Sequence, residues 1–148
     1  MKRTGIFIIM IITAFIQAFA YHLVYSYDDE ANTCTITEVL HSNDETADVK
    51  IPETTISPNN ATKVYKVTAI GENAFSVWSG LRSVTIPSSV TSIGDVAFQL
   101  CRNLKSVKIP NSVTHIGGLA FRDCSALSSI HIPNSVTEMG PNPFVGCN

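Results

Sequence analysis

The stretch from Val67 to Asn148 reads as four rows of 23 residues: VTAIGENAFSVWSGLRSVTIPSS (67–89), VTSIGDVAFQLCRNLKSVKIPNS (90–112), VTHIGGLAFRDCSALSSIHIPNS (113–135) and the partial VTEMGPNPFVGCN (136–148). Every column keeps its chemistry. Val67, Val90, Val113 and Val136 align, as do Ile70, Ile93, Ile116 and Met139, then Gly71, Gly94, Gly117 and Gly140, and Phe75, Phe98, Phe121 and Phe144. The second half of each row repeats Leu81, Leu104, Leu127, then Val84, Val107, Ile130, then Ile86, Ile109, Ile132, closed by Pro87, Pro110 and Pro133. Self-similarity at a fixed period of this length marks a repeat architecture. A single row cannot bury its own apolar face, but stacked rows share one long core.

Each column has a physical reading. Leu104-x-x-Val107-x-Ile109 is the L-x-x-L-x-L spacing of a leucine-rich repeat, whose apolar residues face inward from a short strand. Pro110 stops that strand, because it has no N–H to continue a ladder. Val113 and Ile116 are expected to bury the following turn, and Gly117 to supply a backbone bend closed to other residues. Ala120, Phe121 and Cys124 recur at helical spacing, which predicts a short α or 3₁₀ segment on the opposite side, and Glu72, Asp95 and Pro141 suit its start. An upstream Val49-Lys50-Ile51-Pro52 reads as an atypical first strand, separated from the regular rows by a 12-residue insertion.

Period, order and residue types together resemble the BspA-like leucine-rich repeat family. The resemblance rests on IG-x-x-AF-x-x-C-x-x-L-x-x-V-x-IP, complete or nearly so in three rows, and extends from Val49 to Asn148. It implies a curved solenoid of a kind found on secreted and surface proteins of mucosal bacteria and parasitic protists, some of which bind host extracellular-matrix proteins. The fold class expected is therefore an α/β repeat solenoid. Its form would be a right-handed leucine-rich-repeat superhelix with a concave parallel β-sheet, short helical or 3₁₀ turns and an N-terminal β-hairpin cap.

Upstream of the array the pattern changes. Leu23, Tyr25 and Tyr27 alternate with polar residues, Asp28 to Asn32 reads as a turn, and Thr33 to Val39 alternates again, which predicts a β-hairpin. Residues 21–48 are expected to cap the open end of the core, as solenoids require, and 49–148 to form the repeat array. Residues 1–20 read as a secretory leader: Lys2 and Arg3, an apolar run from Ile6, and an Ala18-Phe19-Ala20 cleavage site. The run is short for a membrane-spanning helix, so membrane attachment is expected only if the leader is not cleaved. A secreted or cell-surface location follows.

The chain has 148 residues and a net charge of −2, and loss of Lys2 and Arg3 with the leader would take it two further units negative. A strongly basic nucleic-acid binder is excluded on that ground. Cys101, Cys124 and Cys147 share a column with Trp78, so the position favours buried, unpaired thiols facing the core. A stacked disulfide and a metal site are the alternatives, but the spacing lacks the close C-x₂₋₄-C pair of a zinc site. Cys34 lies outside the column. No metal and no cofactor are expected.

Catalysis is not expected either. His22, His41, His115 and His131 fall in unrelated places, and no G-x-S-x-G context accompanies the many serines. A glycosidase or lyase solenoid would need paired carboxylates on one face, and the outward strand positions hold none. Those positions are the candidate ligand-binding face: Lys50, Arg82, Ser83, Thr85, Lys105, Ser106, Lys108, Ser129 and His131, with Ser128 beside them. Ser83, Ser106 and Ser129 would stand in one column and Thr85, Lys108 and His131 in the next. The face would be basic and hydroxyl-lined, suited to the carboxylates or sulfates of a protein or glycoprotein partner such as host extracellular matrix. The same residues also serve as ordinary soluble strand positions, so an inert spacer stays open as a reading.

Two further features complete the reading. The fourth row stops before any L-x-x-V-x-I strand, which leaves Ser128 to Ile132 as an exposed edge. A fragment of a longer array, a sufficient terminal lid and self-association through the edge all fit. Asn60-Ala61-Thr62 matches N-x-[ST] in a polar stretch, an acceptor for glycosylation in a eukaryotic host.

Overall fold

The computed structural model describes residues 21–41 and 46–148; the expected leader lies outside the described residues. Among the described residues, ten strands follow one another. They are β1 (Tyr21–Asp28), β2 (Thr33–His41), β3 (Ala47–Lys50), β4 (Thr54–Ser57) and β5 (Asn60–Ile70), then β6 (Leu81–Thr85), β7 (Ser92–Ile93), β8 (Ser106–Lys108), β9 (His115–Ile116) and β10 (Glu138–Met139). They form two sheets. The larger has the order β1-β2-β5-β7-β9-β10 with β4 added to β5, and the smaller has the order β3-β6-β8.

Two sheets in place of one is the first departure from the sequence-based expectation. The L-x-x-V-x-I strands form the small parallel sheet, with Val49, Val84 and Val107 in register and facing inward. The V-T-x-I segments, expected as turns, form a second parallel sheet, with Ile70, Ile93, Ile116 and Met139 in register. Both segments of each row present inward residues at alternating positions, so each can pair with its copy in the next row.

The predicted helical segment is the second departure: no helix forms among the described residues. After each glycine the chain makes successive tight turns, such as Gln99 N–H to Val96 O and Cys101 N–H to Phe98 O. The alternate N–H groups leave the row altogether: Val96, Phe98 and Leu100 donate to Gly118, Ala120 and Arg122 of the next. A helix would direct every N–H back along its own axis. Here half of them join neighbouring rows, which continuous stacking rewards.

That geometry demands left-handed backbone at two positions per row. Asn73, Val96, Leu119 and Asn142 occupy one such column, and Val77, Leu100, Asp123 and Gly146 the other. The column glycines do not carry the bend, because Gly71, Gly94, Gly117 and Gly140 lie outside the left-handed region. They are needed for close approach: a Cβ on Gly94 would lie 2.7 Å from the backbone N of Glu72 in the preceding row. Asp95, expected to start a helix, instead accepts a hydrogen bond from Gly118 N at 2.6 Å.

The core runs the length of the stack. Phe75, Phe98, Phe121 and Phe144 pile ring on ring, with centroids 4.9, 5.1 and 5.4 Å apart. Trp78, Cys101 and Cys124 line the adjacent column, each fully buried, while Cys147 is half-buried in the last row. The hairpin β1–β2 is antiparallel, with a register shift between Val24 and Tyr25, and continues the large sheet by pairing β2 with β5 in parallel. Tyr21 and His41 cover Trp78, the His41 ring stacked at 4.5 Å. The 12-residue insertion is accounted for by the antiparallel hairpin β4–β5.

Phe98→Ala should lower unfolding free energy by roughly 3–5 kcal/mol in urea titration, since Phe98 is sandwiched between two rings and fully buried. Val96→Asn should act in the opposite direction. Val96 is a β-branched residue at φ 49° in a column where two rows already carry Asn, and relieving it should raise stability by about 1 kcal/mol.

Candidate functional site

The outward face of the small sheet brings together most of the residues singled out from the sequence. Register pairs Asp48 with Ser83 and Ser83 with Ser106; two residues further on it pairs Lys50 with Thr85 and Thr85 with Lys108. Lys50, Thr85, Ser106 and Lys108 are exposed, and Lys105 precedes β8, its N–H bonded to Arg82 O at 2.8 Å. Arg82 is the extra residue of the L-x-x-V spacing: Ala47 pairs with Leu81 and Asp48 with Ser83, so Arg82 has no opposite number and bulges outward. Its side chain is half-exposed.

Two parts of the expected face differ. Ser129 and His131 are exposed, but residues 128–132 form no strand, and no backbone hydrogen bond joins them to β8. The columns therefore hold register over three strands and not four. A strand flanked on one side only gains half the ladder bonds of an interior one. The face is also not free of acid. Asp48 heads the serine column, accepts from Ser83 Oγ at 2.7 Å and pairs with Arg82 Nη2 at 3.1 Å. The four cations Lys50, Arg82, Lys105 and Lys108 thus face one carboxylate, and Arg82 is partly neutralised by it. Asp48 escaped the sequence reading because the first strand was taken to start at Val49, one residue later.

The large sheet carries an outward column of a different kind. Thr91, Thr114 and Thr137 each send both backbone N–H and side-chain hydroxyl to the carbonyl of the threonine one row earlier, beginning at Thr68. Beside it Ser92, His115 and Glu138 stand in register, with His115 Nδ1 3.3 Å from Glu138 Oε2. The repeated Val-Thr in every row signalled this ladder. These two columns hold no Lys or Arg, and the cations of the large sheet, Lys63 and Lys66, lie on β5.

The thiols are built as core donors. Cys101, Cys124 and Cys147 point Sγ at Phe75, Phe98 and Phe121 O, at 3.1, 3.1 and 3.2 Å, and no disulfide forms among the described residues. Burial pushes the Cys34 and Cys124 thiols up to about 12 and raises those of Cys101 and Cys147. They are protonated at neutral pH and poor nucleophiles. Among the described residues, no group of three His, Cys, Asp or Glu side chains is placed to hold a metal ion.

A polar latch joins the first hairpin to β5. Asp28 Oδ1 accepts from Glu30 N and Ala31 N, which shapes the turn. Asp29 Oδ1 then accepts from Tyr65 Oη at 2.5 Å and from Lys63 Nζ at 3.0 Å, with Lys63 over the Tyr65 ring. The hydrogen bond from Tyr65, then that from Lys63, hold the Asp29 carboxyl below the ordinary carboxylate value, and the same bond to Asp29 raises the Tyr65 hydroxyl.

Together these features define a stacked leucine-rich-repeat solenoid with a cation-bearing sheet. The BspA type leucine rich repeat region matches residues 53–148 in six copies, and the chain belongs to that family. It is 35% identical to a leucine-rich repeat protein from Bacteroides capillosus, over 90% of this chain and 91% of that one, with a TM-score of 0.72. A Bacteroides ovatus leucine-rich repeat protein (31% identity, TM-score 0.75) and a leucine rich cell surface protein from Faecalibacterium prausnitzii (33%, 0.68) match 91% and 89% of this chain. This chain spans only 33% and 34% of those two. No curated protein matches it.

Asp29 contributes stability that is present above the ordinary carboxylate range and lost as pH falls through its lowered value. Urea unfolding should therefore show Asp29→Ala destabilised at neutral pH, with the gap to the parent protein closing in acid. The gap should also shrink in high salt, because the pair is exposed.

Proposed function

We propose that this protein is a non-catalytic recognition module, displayed at a cell surface or secreted, that binds an acidic protein or glycoprotein partner through the outward face of β3, β6 and β8. Host extracellular-matrix proteins are the partner class the family resemblance suggests. The observation that carries the reading is the register of Lys50, Thr85 and Lys108 beside Arg82 and Lys105, four cations with one acid in a chain of net charge −2. Parallel pairing spaces these groups at about 4.8 Å across the sheet, so a partner with several carboxylates or sulfates meets several cations at once. Ser83 and Ser106 between them are small and leave the backbone approachable. The face has no aromatic anchor, so affinity rests on charge and falls with salt. The described cell-surface relative from Faecalibacterium prausnitzii supports the location.

A second reading, self-association, is favoured by the unladdered segment 128–132, which leaves the outer edge of β8 without a strand partner. Size-exclusion chromatography over a concentration series separates the two readings.

The test is binding of the purified chain to immobilised matrix and cell-surface glycoproteins at low and physiological salt. Saturable, salt-sensitive binding is expected, reduced at least tenfold by Lys105→Glu with Lys108→Glu while thermal unfolding is unchanged. A folded monomer that binds nothing on the panel overturns the proposal.

A further inference from the structure

We propose that Lys105 and Ser106 form an open carboxylate-binding subsite for an acidic polypeptide, of which Arg82 and Ser83, one row earlier, are the internally filled copy. This assignment rests on the binding face proposed above and names the chemistry it takes. Leu81-Arg82-Ser83 and Leu104-Lys105-Ser106 occupy the same three positions of successive rows, with both leucines buried and Ser83 paired with Ser106 in register. In the first of these rows the cation and the hydroxyl hold one carboxylate between them. Asp48 Oδ2 accepts from Arg82 Nη2 at 3.1 Å, and Asp48 Oδ1 from Ser83 Oγ at 2.7 Å. That carboxylate is supplied from β3, where Asp48 stands opposite Ser83.

One row later the same kind of donor pair has no such partner. The residue opposite Ser106 is Ser83, a hydroxyl already committed to Asp48, and β6 carries no acid of its own. Lys105 and Ser106 are both exposed, and among the described residues neither side chain makes a hydrogen bond or an ion pair. In the third row Ser128 stands where the cation was, so the open pair occurs once among the described residues. A carboxylate fits it because both oxygens accept at once, and hydrogen bonds to an ionised acceptor are the strong ones. Lys105 supplies a point charge in place of the Arg82 fork. The next cation sets the class of partner. Lys108 lies two residues beyond Ser106 on the same outward face, about 7 Å along the strand. An extended polypeptide carries its own alternate side chains at that spacing, so acids at positions i and i+2 meet Lys105 with Ser106 and Lys108 together. Asp48 keeps Arg82 and Ser83 out of that contact.

The test is calorimetric titration of the purified full chain with poly-L-glutamate at low salt, with dextran sulfate as the second probe. Poly-L-glutamate is expected to bind, and Ser106→Ala to weaken that binding about tenfold with thermal unfolding unchanged. Lys105→Ala should weaken it at least as much, and Lys105→Arg should retain it. Asp48→Asn should tighten it severalfold by opening the first-row pair. That gain should vanish when Arg82→Gln is added, which separates a freed donor from a general change in charge. Binding that is lost in Lys105→Glu with Lys108→Glu but indifferent to Ser106→Ala and Asp48→Asn overturns the subsite and leaves the binding face standing. Binding of dextran sulfate without poly-L-glutamate also overturns it, in favour of a sulfated polysaccharide on the same face. Binding of neither probe overturns both.

Discussion

Everything in this molecule depends on one constraint, that each row superimposes on the next closely enough for identical side chains to touch. The Phe98 ring stacks on Phe75 and Phe121, one row to either side. The backbone obeys the same rule in both directions. In the large sheet, N–H groups of a later row donate to carbonyls of the earlier one, as from Thr114 to Thr91; in the turns, N–H groups of the earlier row donate forward, as from Phe98 to Ala120. Rows are thus clamped from both sides of the core, and the close approach at Gly94 and Glu72 is the steric consequence.

The same superposition makes surface chemistry. Any residue type repeated at one outward position becomes a line of identical groups, whether or not that line has a ligand. Thr68 to Thr137 shows the structural end of this range, because each hydroxyl from Thr91 onward is engaged with the carbonyl of the preceding threonine. Lys50, Thr85 and Lys108 lie at the other end, exposed and without an acid in their own column. Asp48 bounds this surface by binding both Arg82 and Ser83, which concentrates the uncompensated charge on the three lysines.

The first hairpin lies beside the first regular row. β2 occupies the place of a preceding row in the large sheet, and Tyr21 and His41 cover Trp78 where a preceding cysteine column would continue. Its turn is held to β5 by Asp29, Lys63 and Tyr65, three side chains brought together from two separate hairpins. β4–β5 adds a protruding element at the same end without disturbing the stacking, since it extends β5 beyond the part that pairs with β2 and β7.

The amino-acid order alone was enough to establish the rows, the family, the inward columns of Val, Ile, Leu and Phe, the buried cysteines and the first hairpin. Each of these follows from residue type and period, because apolar groups must leave water and a period of 23 allows them to do so only between rows. The second sheet, the turns in place of a helix, the lost fourth strand at 128–132, the acid at Asp48 and the latch at Asp29 were decided by tertiary structure. In each case the deciding quantity was where a backbone N–H or a carboxylate finds its partner. Ala120, Phe121 and Cys124 satisfy a helical spacing, yet Phe121 N–H donates to Pro143 in the next row and Ala120 O accepts from Phe98 in the preceding one, while Cys124 N–H stays in its own row. Periodicity describes which side chains are buried together; only the folded chain settles which of two hydrogen-bonding schemes buries them.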